Sequence, residues 1–151
     1  MDFIDVRTAP FAVGDEYAAL RANNRSDGAS ALFVGSVRDF NAGVGVSGLA
    51  LEHYPGMTEK SLQRIVSDAR TRWELGRVRL LHRVGAMAVE EDIVFVGVTS
   101  PHRQAAFAAC QYIMDRLKTE APFWKLESGE TGDTWVAARD SDRRELEKWA
   151  R

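Results

Sequence analysis

Residues 92–118 read DIVFVGVTSPHRQAAFAACQYIMDRLK, and the fold class turns on this stretch. Asp92 to Thr99 is nearly all apolar, the pattern of a strand buried on both faces. Ser100 and Pro101 then form a helix start: a capping hydroxyl, followed by a proline where no amide donor is required. The spacing predicts a helix to about Lys118, with Ala106, Ala109, Cys110, Ile113 and Leu117 as its buried stripe.

Working outward, Val78 to Val84 reads as a strand turned by Gly85. Thr58 to about Trp73 reads as a helix, with Leu62, Ile65, Val66, Ala69 and Trp73 on one face and Gly76 ending it. Pro55 and Gly56 separate it from a strand over Leu49 to Tyr54. DFNAGVGVSG, residues 39–48, reads as a Gly-rich loop. Ser30 to Arg38 is a strand rich in β-formers, and Phe11 to Arg25 a short helix with a polar loop. Downstream, Pro122 ends a region, Thr134 to Ala138 is a short strand and Asp142 to Arg151 a final helix. Strands and helices are mixed and several connections are short. The expectation is an α+β fold with a mixed, mostly antiparallel sheet.

The 151 residues suit one domain spanning 1–151, long enough to bury a core without staples. The net charge of −2 gives no global pull toward nucleic acid or an anionic membrane. Any anion site must be a local cluster of cations. One cysteine, Cys110, rules out an internal disulfide and a Cys-based zinc site, and its place on the apolar stripe makes it a core residue. MDFIDVRTAPF carries neither a basic leader nor a long apolar run, and no run approaches the roughly 20 apolar residues that span a bilayer. The expected location is cytoplasmic. No P-loop, dinucleotide fingerprint, GxSxG elbow or zinc signature occurs.

Four segments hold polar groups that packing does not ask for, the fourth of them His53-Tyr54-Pro55-Gly56-Met57. Arg38 ends an apolar strand beside a flexible loop, where a guanidinium suits an anion. Its bland reading is a surface arginine paired with Asp39. His102 and Arg103 fall in the first turn of a helix, where free amides and the macrodipole already favour an anion. Two cations there are unfavourable unless an anion joins them. Lys118 and Lys125 flank Pro122, Phe123 and Trp124. Aromatic surroundings desolvate an ammonium and suit it to acid, base or nucleophile work. The alternative is a plain helix C-terminus with both aromatics in the core. His53 and His82 read as structural, the latter packed or paired within its strand.

In order and spacing, FVGSVRDFN, LEHYPGMTEK, RWELGRVRLLHRVG, DIVFVGVTSPHR and IMDRLKTEAPFWK resemble the large, catalytic subunit of molybdopterin synthase, the MoaE family. The match covers roughly residues 30 to 139. The resemblance implies an α/β-hammerhead fold and conversion of a cyclic pyranopterin monophosphate into molybdopterin. Two sulfurs are installed as a dithiolene, each from the C-terminal Gly-Gly thiocarboxylate of a small, ubiquitin-like partner. It also implies a homodimer at the centre of a heterotetramer. By resemblance, Lys118 and Lys125 are catalytic. Arg38, His102, Arg103, Ser36, Val37, Leu126, Glu127 and Arg139 bind substrate, and Phe33 and Met114 line the entry of the partner's tail. No metal and no cofactor is expected. The rival reading is a non-catalytic scaffold that grips such a tail and a phosphorylated ligand; a second rival is an enzyme acting on another phosphorylated heterocycle.

Overall fold

The computed structural model describes residues 2–38, 40, 41, 44–129, 132–136, 147 and 149; for 40, 41, 44–47, 124–129 and 132–136 the description is of the backbone. In chain order the elements are β1 (Asp2–Arg7), α1 (Val13–Arg21), β2 (Ala29–Ser36), β3 (Phe40–Asn41), β4 (Val44–His53), α2 (Met57–Arg72), β5 (Val78–Arg83), β6 (Gly85–Ala88), β7 (Asp92–Ser100), α3 (Arg103–Glu120), β8 (Phe123–Gly129) and β9 (Gly132–Val136).

The first sheet has the order β1-β5-β7-β2. β1 runs parallel to β5, and the other two pairs are antiparallel. β7 is an inner strand, and every residue from Val94 to Ser100 is buried. Its apolar run is continuous because both faces are covered. Val94, Val96 and Val98 join Leu62, Ile65, Val66 and Ala69 of α2 and Ala106, Ala109, Ile113 and Leu117 of α3 in one core. On the opposite face Phe95 meets Phe11 edge to face, with centroids 6.3 Å apart. A Cβ on Gly97 would lie 2.8 Å from Leu20 of α1, so the glycine makes room for that side chain.

The second sheet has the order β3-β4-β8-β9, with β6 also paired to β4. All its pairings are antiparallel, so the fold is α+β with a mostly antiparallel set of strands. A smaller core of Val37, Leu51, Val84 and Met87 lies where the sheets meet. Phe123 packs against both cores.

Several expectations needed correction. The stretch 39–48 is not simply a loop: Phe40 and Asn41 pair with Gly45 and Val44, and β4 already begins at Val44. Thr58 does not cap α2. Gly56 holds that position with φ +85, and its amide donates to Glu59 Oε1 at 2.9 Å. Thr58 sits inside the helix and donates back to the Tyr54 carbonyl at 2.9 Å. Ser100 does not cap α3 either. It closes β7, its hydroxyl donates to the Glu74 carbonyl at 2.9 Å, and His102 becomes the N-cap residue. α3 then runs on to Glu120. β1, β6 and β8 were not anticipated. The last described strand, Gly132–Val136, begins two residues before the expected Thr134, while Ala137, Ala138, Arg139 and, apart from 147 and 149, the segment 142–151 lie outside the described residues.

Candidate active site

α3 carries candidate residues at both ends. Its first turn holds no acidic residue, and His102 and Arg103 are both exposed there. Lys118 is the basic residue of its last turn and is also exposed. The helix is unbroken between them. At about 1.5 Å per residue, the 16 residues from His102 to Lys118 span roughly 24 Å. One chain therefore does not bring both ends of α3 around a single small ligand.

The C-terminal end of α3 is where the two sheets converge. The Ala121 amide reaches the Leu117 carbonyl at 3.4 Å and the Phe123 amide reaches the Ala121 carbonyl at 2.8 Å. This tight turn passes the chain from Lys118 directly into β8. There Lys125 pairs with Leu51 and Val136, Leu126 with Ala50 and Trp135, and Glu127 with Leu49 and Thr134. The fold thus sets the two lysines on consecutive elements either side of one short turn. Of the aromatics expected around Lys118, the side chain of Trp124 lies outside the described residues. The Lys118 side chain stays exposed, while Phe123 is half-buried and turned to the cores.

Phe123 is instead the centre of a ring cluster. His82 of β5 stacks on it with centroids 3.9 Å apart and planes 16° apart. His53, opposite Phe123 in the β4–β8 register, lies at 6.3 Å and 34°. Burial above all holds His82 down at about 4; its contact with the Arg83 carbonyl pulls the other way, and the charges of Lys118 and His53 add to the lowering. His82 fits the packed strand histidine expected from sequence. Its nearness to the lysine-bearing turn was not anticipated, because nothing local links residues 82 and 123.

Arg38 lies just past β2 and is exposed. The register skips between Gly35 and Ser36, a bulge that re-aims the strand end. Ser36 donates its hydroxyl to Asp92 Oδ1 at 2.7 Å. Val37 is buried, with its amide on the Glu91 carbonyl and its carbonyl on the Glu90 amide, both at 2.9 Å. Asp39, the alternative partner of Arg38, and Arg139 lie outside the described residues. Phe33 is exposed on β2, an edge strand of its sheet. Met114 is buried on α3, which packs against β2. Cys110 is a core thiol, pushed up to about 12 by burial.

Cations thus stand just past β2 and at both ends of α3, and the turn from α3 to β8 sets the two lysine positions on consecutive elements. A family model described as MoaE protein matches residues 6–120. A molybdopterin synthase catalytic subunit from Salmonella typhimurium is 57% identical over 97% of this chain and 97% of its own. The fold matches a solved structure titled molybdopterin biosynthesis MoaE protein from Burkholderia ambifaria with a TM-score of 0.85, at 46% identity over 100% of this chain and 99% of that one. A structure of molybdopterin synthase from Staphylococcus aureus gives 0.81, at 30% identity over 87% and 95%. The chain belongs to the MoaE family of molybdopterin synthase catalytic subunits.

Proposed function

We propose that this chain converts a cyclic pyranopterin monophosphate into molybdopterin, taking two sulfurs from the C-terminal thiocarboxylate of a small ubiquitin-like partner. Family membership supports the reaction. The observation that carries the siting is the turn between α3 and β8, which sets Lys118 and Lys125 on consecutive elements. Lys118 handles the acyl sulfur by acid/base or covalent chemistry, and Lys125 stabilises developing negative charge.

Arg38, His102 and Arg103 bind the substrate phosphate. Ser36 and Val37 serve by fixing the strand end that presents Arg38, and Leu126, Glu127 and Arg139 complete the substrate contacts. The partner's Gly-Gly tail offers no side chains to grip, so it enters by main-chain pairing or a narrow channel. Phe33 on the edge strand β2 and Met114 beneath it are the channel candidates.

The unbroken α3 favours a site built from two chains. In a two-fold dimer, His102 and Arg103 of one protomer face Lys118, Lys125 and Arg38 of the other. That dimer forms the centre of a heterotetramer in the cytoplasm; among the described residues no helix is long and apolar enough to cross a membrane.

The test is reconstitution of purified chain, thiocarboxylated partner and pterin precursor, scored for dithiolene. Product formation is expected. Tight binding of partner and pterin without product would favour the scaffold instead.

A further inference from the structure

His82 is a buried polar side chain that the proposed reaction does not use. Its Nδ1 lies 2.9 Å from the Arg83 carbonyl. A carbonyl only accepts, so Nδ1 carries the hydrogen and the ring's orientation is fixed by its own strand. β5 sits between β1 and β7, with His82 opposite Val6 on one side and Val94 on the other. The ring is therefore anchored on a strand paired on both sides.

Its flat face meets Phe123 at 3.9 Å and 16°. Phe123 is the first residue of β8 and follows directly on the turn from α3. Across that strand His53 packs at 6.3 Å, and its Nδ1 is buried with no hydrogen-bond partner among the described residues. The His53 ring has no such anchor at its Nδ1, whereas the His82 ring is held at Nδ1 by its own strand, so of the two rings His82 offers Phe123 the fixed face. The Ala121 amide on the Leu117 carbonyl and the Phe123 amide on the Ala121 carbonyl tie the end of α3 to this stack through three residues of turn.

We propose that His82 is a positioning residue for the lysine pair. Its stack on Phe123 locks the turn that sets the end of α3, with Lys118, against β8, with Lys125. This rests on the reading of the two lysines as catalytic. A flat ring gives Phe123 a seat in one orientation; an aliphatic side chain of similar size leaves it free to tilt, and the turn shifts with it. A shift of about 1 Å in a reacting group can cost on the order of 100-fold in rate.

The experiment compares His82→Leu, His82→Phe and Lys118→Ala in the assembled enzyme. The readouts are kcat, KM for the pterin, partner affinity and thermal unfolding. His82→Leu is expected to fold and bind both partner and pterin as before, with kcat lowered roughly 10-fold to 100-fold. His82→Phe, which keeps the flat face, is expected to restore most of that loss. A merely structural role would lower stability in both variants without this split. Should His82→Leu not fold, Phe123→Leu breaks the stack from the other ring and must lower kcat in the same way. A folded His82→Leu with unchanged kcat overturns the proposal, as does an equal loss in the folded Leu and Phe variants. With Lys118→Ala dead, either result sinks the positioning role alone. An active Lys118→Ala removes the lysine reading itself.

Discussion

The imidazole of His82 lies flat against the phenyl ring of Phe123, 3.9 Å between centroids and 16° between planes. The contact joins the middle of the first sheet to the opening residue of β8. It also keeps a titratable ring out of water.

That burial has a pH consequence. Unfolded, the imidazole titrates near its ordinary 6.5; in the stack it titrates at about 4. Between those values the unfolded chain binds a proton that the native chain does not. Stability therefore falls as pH drops from about 6.5 toward about 4 and levels off below, a total loss of about 3 kcal/mol from this group. Urea unfolding near neutral pH and at about pH 4.5 is expected to show this component in the native sequence and not in His82→Phe. Equal acid sensitivity in the two proteins would count against a neutral, buried His82.

Gly76 is a second sensitive point. A Cβ there would overlap Asp27 Oδ2 and come within 2.6 Å of Thr99 Oγ1. Asp27 is buried and held by Asn24 Nδ2 and Thr99 Oγ1, each donating at 2.8 Å. Gly76→Ala must disrupt this network, with an expected loss of about 2–3 kcal/mol by denaturant titration. A loss within experimental error would show that Asp27 can move aside freely.

Cys110 should be chemically silent. Its thiol is buried among core residues and pushed up to about 12. The thiolate is the reactive form, so a thiol reagent at neutral pH is expected to label the protein only at the rate of unfolding. Rapid labelling of folded protein would contradict the burial.

The sequence made the central parts of the fold legible. The continuous apolar run of Asp92 to Thr99 and the helical stripe from Ala106 to Leu117 are clear patterns, and a strand and a helix formed over them. The start of α3 was displaced because the Ser100 hydroxyl is engaged by the Glu74 carbonyl. β8 was hidden because nothing local marks FWKLESG as a strand; its pairings with β4 and β9 make it one. At the site, the cations were legible as residues out of place for packing. The stack of His82 on Phe123 was not, because it joins strands distant in sequence: His82 read as packed or paired within its strand, and Phe123 as part of the lysines' surroundings or as core.

The length of α3 leads to a complementation test. A chain carrying His102→Ala and Arg103→Ala and a chain carrying Lys118→Ala should each be inactive alone. Co-expressed, they are expected to recover activity, because some mixed dimers contain one intact composite site. Proven heterodimers that stay inactive would show that the site is not shared between chains.

The most direct measurement is single-turnover dithiolene formation by Lys118→Ala beside the native sequence, with thiocarboxylated partner and pterin precursor both saturating. Lys118 lies on the exposed end of α3, so its removal should leave the fold and the partner complex intact. The expected result is product formation slowed by about 10²–10⁴-fold with partner affinity unchanged. Product formed at the native rate by a correctly assembled Lys118→Ala enzyme would contradict the account.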